Sequence, residues 1–451
     1  MIINNFRQLA KNSLRKKALL IAGACYQAID IEKVISERIN LKDGILEIRS
    51  AKIDSLNLNN FKRVFIVGIG KGSALASAAL AKILRDKLTG GIALDVSNVK
   101  CQMSNVKCFQ GTHPLPSKQN VKATQKIIKL VKSFKKDDLL ITFICGGGSA
   151  LLCGSQKELK NSVLATKLLT QAGADIKELN TVRKHLSKIK GGGLAKLAYP
   201  ATIISLIVSD VPTANNDLSM VASGPTVYDK TTKKDAVHIL KKYNFQSPLS
   251  DFQLLETPKN KKYFKNVKNI LFLSNREPIF AMAEKAKELG FKPKIYSLKI
   301  KGEAKNVLIP LIKVVKKDEV ILAGGETIVR LKKLEMRNEK LGKGGRNMEA
   351  VLGIMSKAQI AKRKALNAKR LALSDKLVVM SFASDGRDNT EAAGAIADDS
   401  TLKKAKKLKL DPQEFLTNHN SFNFFKKTGD LIFIKPKTFN VADFMVILKE
   451  K

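Results

Sequence analysis

The chain has no tryptophan, only four histidines among 451 residues, and 40 acidic residues against 81 basic ones. None of its cysteines (Cys25, Cys101, Cys108, Cys145, Cys153) stands in a CxxC pair, so neither a zinc site nor a disulfide framework is indicated. Reduced thiols in the cytoplasm are the expectation. The histidines show no HxxxH or His–carboxylate spacing, which removes the usual metal motifs. No run approaches the ~18–20 apolar residues of a membrane span. "RKKALLIAGAC" has a basic stretch and a short apolar run, but Ala28, Ile29, Ile31, Val34 and Ile35 continue an amphipathic pattern, so a helix of the fold is expected. With aromatics at 6%, there is no stacking platform, basic recognition helix or zinc finger. The net charge of +41 is therefore read as lysine bias spread along the chain, with attraction of small acidic substrates as its consequence, and no nucleic-acid partner is expected. No GxxxxGK[ST] occurs, which excludes a P-loop.

What is present is an α/β pattern long enough for two domains. Strands are expected at 63–67, 91–95, in "LLITFICGGGSALL" and in "TIISLIVSDV". Helices are expected at 72–87, 119–134 and across 159–198, broken by glycines at 191–193. Parallel strands that end in glycine loops predict a doubly wound sheet with its ligands at those ends. The polar, Lys-rich residues 241–266, with Pro248 and Pro258, mark the best boundary. The expected division is a domain at 1–245, a linker at 246–266 and a second α/β domain at 267–451. In the latter, strands are expected at 269–273, 293–298, 318–323, 377–383, 431–434 and 443–448, with helices at 277–289, 347–356 and 391–408. The basic run 357–376 reads as a solvated face.

The chemistry-bearing stretches lie at the strand ends. "VFIVGIGKGSALAS" (64–77) is strand, glycine turn and helix, an arrangement that offers amides to an anion. Gly68, Gly70 and Gly72 give GxGxG where a dinucleotide fingerprint needs GxGxxG, and position 73 is Ser. Asp95 ends the next strand at a spacing suited to a ribose contact, so hydride transfer stays open. Lys71 inside the turn suits a more highly charged or carboxylate ligand. "CGGGSALL" offers the amides of Gly146, Gly147, Gly148 and Ser149; Cys145, closing a buried strand, reads as packing. "LNTVRKHLSKIKGGGLA" gathers Asn180, Arg183, His185, Lys188 and Lys190, and "SLIVSDVP" sets Ser209 and Asp210 at a strand end. "ASGPT" gives Ser223, Gly224 and Thr226; "GGETIVRL", "GKGGRNME" and "ASDGRDNTEAAGA" set glycines beside Glu326, Gly345–Asn347 and Asp385. Any one such turn can be a salt-bridged loop, but six in one chain are not all idle. His113, in the stiff "GTHPLPS", is either a general base or a loop histidine bonded to backbone.

Taken together, "HPLPS", "GGGSALL", "RKHLSKIKGG", "VSDVP", "ASGPT", "GGETIV", "GKGGRNME" and "AAGAIAD" resemble the glycerate kinases of the MOFRL type over essentially the full chain. The resemblance implies a Rossmann-like N-terminal domain and a C-terminal domain carrying the MOFRL region at about 318–448, with the active site in the cleft between them. It implies ATP-dependent phosphorylation of D-glycerate to 2-phosphoglycerate; members labelled hydroxypyruvate reductase keep an NAD(P)H-dependent alternative. Lys71 and Arg346 match the family's basic pair, and Asp210 its Ser-Asp-Val acid. These three are the expected catalytic residues. Gly70, Gly72, Ser73, Gly146, Gly147, Gly148, Ser149, Asn180, Arg183, Lys190, Ser223, Gly224, Glu326, Gly345, Asn347 and Asp385 are the expected substrate or nucleotide contacts. Mg²⁺ comes with ATP, near Asp210, Glu326 and Asp385. D-glycerate is the expected partner, with no nucleic acid or membrane, and a homodimer is left open. The chain departs from the family pattern at Cys145 (usually Ser), in the longer "VPTANNDLSM" with Asn216 replacing an acid, at "SDGRDN" for TDGxDG, and at "KPKTFNV" for GPTGTNV.

Overall fold

The computed structural model describes residues 2–97, 105–210, 217–244, 252–330, 342–363, 376–435 and 437–450. Asn216, Pro248 and most of the basic run 357–376 lie outside them. The chain forms two compact units, Ile31–Ser274 and Met1–Asp30 with Asn275–Lys451.

The first unit opens with an antiparallel meander that the sequence reading missed, β1 (Ile39–Lys42), β2 (Ile45–Arg49) and β3 (Ile53–Asn57). Six parallel strands follow: β4 (Arg63–Ile69), β5 (Leu88–Asp95), β6 (Val106–Gln110), β7 (Asp138–Ile144), β8 (Thr202–Val208) and β9 (Val267–Leu273). They pair in the order β6-β5-β4-β7-β8-β9, all in parallel. Numbered within the sheet, this is the 3-2-1-4-5-6 order of the doubly wound fold, whose direction reverses between β4 and β7. The central strands are largely apolar because both faces are covered: every residue of β7 is buried. Val67, Leu140, Ile144, Ile203 and Ile207 are core residues of this unit.

Strand β9 corrects the expected division. It pairs with β8 from Ile203↔Val267 to Val208↔Leu273, so it completes the first sheet instead of opening the second domain. The N-terminus is a second correction, since residues 1–30 fold with the C-terminal unit. Arg15, fully buried, places Nε at 2.7 Å and Nη2 at 2.9 Å from the two oxygens of Asp398, and Nη1 at 2.8 Å from Asp430. Asn4 N donates to Phe433 O at 2.8 Å, so the first residues also join this unit through backbone.

The second unit holds β10 (Lys292–Ile300), β11 (Glu319–Gly325), β12 (Leu377–Ala383), β13 (Gly394–Ala397), β14 (Leu431–Ile432) and β15 (Asp443–Lys449). Their order is β10-β11-β15-β12-β13-β14; only β10 and β11 are parallel. The helix Arg346–Arg363 buries Met348, Val351, Leu352 and Met355 in this unit's core. The expected helix 391–408 is instead β13 followed by the helix Asp399–Lys407. The two alanines of "GAIA" favour helix, but pairing with β12 buries all four residues, and tertiary context overrides propensity.

Cys25, Cys145 and Cys153 are free and buried, whereas Cys108 is disulfide-bonded, against the expectation of no disulfide. Among the described residues no helix is long and apolar enough to cross a membrane.

Candidate active site

In the first unit the loops after β4 and β7 meet at the reversal point. Lys71 N donates to Gly146 O at 2.9 Å, and Cys145 N to Ile69 O at 2.8 Å. Gly70 adopts φ +111°, and a Cβ there would lie 2.4 Å from Cys145 O, so only glycine permits this approach. A Cβ on Gly147 would lie 3.4 Å from Lys71 Cγ and 3.3 Å from His113 Cδ2. Lys71 and His113 thus converge on the same turn, and His113 is exposed.

The helix Ser73–Leu84 begins at this turn, but its first amides are already occupied. Asp95, 1% exposed, accepts from Ala74 N at 3.0 Å, from Val96 N at 2.7 Å and from Ser97 N at 3.2 Å. Burial raises its pKa, and these amides pull the other way. Asp95, the group expected to reach a ribose, thus takes up the Ala74 amide at the helix start, where a dinucleotide fold offers amides to pyrophosphate. Ser73 is likewise turned inward: its Oγ donates to Leu94 O at 3.3 Å.

Beside the second loop, Ser149 Oγ lies 2.9 Å from Ser223 Oγ, and Ser223 Oγ donates to Asn180 Oδ1 at 3.1 Å. Asn180 Nδ2 donates to Met220 O at 3.3 Å. Ala222, Ser223 and Gly224 all take positive φ (51°, 57° and 59°), a sparsely populated conformation for the first two. Three expected contacts, Ser149, Asn180 and Ser223, therefore form one hydroxyl–amide relay. Arg183, one helical turn from Asn180, donates to Thr166 Oγ1 at 3.3 Å. Among the described residues it has no carboxylate partner, and burial lowers its pKa to about 10. Asp210 follows β8, the neighbour of β7, and its charge is felt at Cys145, whose thiol burial pushes well up.

Lys190 does not join this group. Its Nζ lies 2.8 Å from Glu158 Oε1, with 1% and 3% of the two side chains exposed, and Glu158 Oε2 accepts Gly154 N at 2.7 Å. The same basic run also spends Lys184 on Asp229 at 3.1 Å and His185 on Leu255 O at 2.8 Å. A run of cations in sequence becomes interior pins once the helix is folded.

In the second unit Arg346 sits at the first position of its helix. Nη1 lies 2.6 Å from Glu326 Oε1, Nη2 lies 3.2 Å from Asp443 Oδ1, and Nε also contacts Asp443. Burial alone would lower its pKa, but the charges of Asp443 and Glu326 hold it above the ordinary value. Asp443 opens β15, in register with Gly325 of β11 and Ala383 of β12. Asp388 caps the helix, accepting from Met348 N at 2.8 Å and Asn347 N at 3.1 Å; burial and Asp443 raise its pKa to about 7. Asn347 also accepts from Ser381 Oγ at 2.6 Å, so it positions its neighbours. Gly345 is a packing glycine: a Cβ there would lie 2.1 Å from Asp388 O. Asp385 accepts Arg387 N at 3.1 Å. Sequence reasoning missed Asp388 and Asp443. The available signal was an aspartate opening the otherwise apolar "DFMVIL". Among the described residues no group of three or more His, Cys, Asp or Glu side chains fits a metal ion.

Two family models match the chain, a domain of unknown function (DUF4147) over residues 17–254 and the MOFRL family over residues 319–443. A glycerate 2-kinase of Pyrococcus horikoshii is 30% identical over 96% of this chain and 97% of that protein. A putative hydroxypyruvate reductase of Agrobacterium vitis is 34% identical over 86% of this chain and 87% of its own. The crystal structure of a Thermotoga maritima glycerate kinase superposes with a TM-score of 0.78 at 29% identity, covering 97% of this chain and 99% of that one.

Proposed function

The chain belongs to the MOFRL-type glycerate kinases, and on that premise we propose that it transfers the γ-phosphoryl group of ATP to the 2-hydroxyl of D-glycerate, giving 2-phosphoglycerate. One observation carries this over hydride transfer. Asp95 occupies the Ala74 amide at the start of the helix after β4, where a dinucleotide fold offers amides to pyrophosphate, while the stem of Lys71 borders the Gly147 turn.

In phosphoryl transfer the protein chiefly positions the reactants and stabilises charge on the moving group. We assign that stabilisation to Lys71 and Arg346. Arg346 is preorganised by Glu326 and Asp443, so its guanidinium need not reorganise as charge develops. Asp210 accepts the proton of the 2-hydroxyl. Arg183, a cation with no carboxylate partner among the described residues, is suited to the substrate carboxylate or a phosphate. Gly146–Ser149 supply backbone around the bound anion.

Mg²⁺ arrives with ATP and usually keeps several waters, taking only one or two protein carboxylates beside the phosphates. Asp210, Glu326 and Asp385 are the proposed carboxylates, and Glu326 already accepts from Arg346. The ion would neutralise phosphate charge. A cytoplasmic setting goes with ATP as the donor.

The test is a coupled assay with D-glycerate and ATP, run beside hydroxypyruvate and NADH, with phosphorus NMR of the product. Formation of 2-phosphoglycerate supports the reading; 3-phosphoglycerate overturns its regiochemistry, and NADH oxidation without phosphoryl transfer overturns it altogether.

A further inference from the structure

We propose that His113 is a substrate-contacting residue, donating a ring N–H to the same anionic group that Lys71 meets beside Gly147. The proposal rests on the kinase reading and adds a residue to its site.

The geometry starts from Gly147. A Cβ built there would lie 3.3 Å from His113 Cδ2, 3.6 Å from His113 Nε2 and 3.4 Å from Lys71 Cγ. The imidazole and the lysine stem therefore border one small patch of backbone, and no side chain from position 147 comes between them.

The loop that carries the ring is fixed from within. Asn120, fully buried, donates from Nδ2 to Thr112 O and to Ala150 O, both at 3.0 Å. Its Oδ1 accepts Thr112 N at 2.8 Å and Ser117 Oγ at 3.0 Å. Thr112 Oγ1 closes the loop on Leu115 O at 2.8 Å. Ala150 belongs to the glycine turn itself, since its amide donates to Gly147 O at 3.2 Å. One buried side chain thus joins both ends of residues 112–117 to the turn that His113 overhangs. A ring so held loses little entropy on meeting a ligand.

His185 is fully buried; His113 is exposed. An exposed ring on a rigid loop, beside a lysine at the reversal point of a doubly wound sheet, is placed to bind. Neutral imidazole offers one N–H and the protonated ring two, so either form can donate. The acceptor is an oxyanion, from the glycerate carboxylate or from an ATP phosphate.

The experiment compares His113→Ala and His113→Gln with the wild type in steady-state kinetics and melting curves. Calorimetry with D-glycerate alone and with a non-hydrolysable ATP analogue alone accompanies them. A hydrogen bond to a charged group sets the expected loss in kcat/KM at about ten- to hundredfold in His113→Ala. The melting point is expected to stay unchanged, with partial recovery in His113→Gln, whose amide can still donate. The ligand whose binding weakens identifies the source of the oxyanion. If wild-type enzyme phosphorylates glycerate and both variants stay within twofold for both ligands, His113 is not in the site. If the wild type phosphorylates nothing, the kinase reading fails, and unweakened binding of both ligands by His113→Ala then overturns the histidine separately.

Discussion

The carboxylate of Asp95 accepts the backbone amide of Ala74 at 3.0 Å, which places a buried anion where the turn after β4 would otherwise bind one. The wild type is therefore expected to show no saturable NADH or NADPH binding by fluorescence titration. Asp95→Ala leaves the amides of Ala74, Val96 and Ser97 without this acceptor. Of these only Ala74 is buried, and an unsatisfied buried donor costs about 1–3 kcal/mol, so a lowered melting point is expected. Tight nicotinamide binding by the wild type would remove the argument from the filled turn.

Lys71 and Arg346 are expected to differ in how they fail. Lys71→Ala loses about 10²–10³ in kcat, the usual worth of a preorganised donor, while its melting point holds. Arg346→Ala loses kcat and stability together, because Asp443 is 1% exposed and loses the cation that offsets its burial. Pairing Arg346→Met with Asp443→Asn removes both charges and should return the melting point without the activity. Near-normal kcat in folded Lys71→Ala would take that lysine out of the reaction.

Lys190 separates site from scaffold. Its ion pair with Glu158 is interior, so Lys190→Ala is expected to lower stability with KM nearly unchanged in whatever enzyme remains folded. Lys190→Met with Glu158→Gln keeps an acceptor for Gly154 N and removes the buried charge, and is expected to recover most of the loss. A large rise in KM for ATP or glycerate in the double variant would return Lys190 to the site.

The parallel sheet was legible because its strands are unbroken apolar runs ending in glycine turns, a signal that needs no partner to be read. Lys71 reads as a cation inside such a turn, whereas Arg346, with Lys343 in the same stretch, stands out through the family resemblance. What stayed hidden depends on pairs distant in sequence. Lys190 reads as a site cation until Glu158 is seen beneath it, 32 residues away. Asp95 fits a ribose contact by spacing alone and instead accepts from the Ala74 amide 21 residues earlier and from its own neighbours Val96 and Ser97. The unit to which residues 1–30 belong is decided by Arg15, whose partners lie 383 and 415 residues further on. No local pattern carries that information.

Arg15 also makes the second unit acid-sensitive. Burial pushes the Asp398 pKa up, but hydrogen bonds from Arg15, Ser400 and Asn12 outweigh it and bring the value down to about 2. Unfolded aspartate titrates near ~3.9. The folded pKa is the lower one, so this group's stabilisation is fully present above about pH 4 and is lost as pH falls through about 2. That difference in pKa corresponds to roughly 2–3 kcal/mol. Arg15→Met leaves Asp398 and Asp430 buried without the guanidinium, a loss of about 3–5 kcal/mol at neutral pH. It also frees the Asp398 pKa to rise, so the variant loses less further stability between pH 4 and 2 than the wild type does. The measurement is urea unfolding of both proteins at pH 7, 4 and 2.5, followed by hydrogen exchange in the helix Ser13–Ala28, which isolates this unit from the other. Equal pH slopes in the two proteins would show that Arg15 does not hold Asp398 ionised. A variant as stable as the wild type at pH 7 would show that the buried cluster is not what ties the N-terminal helix to this unit.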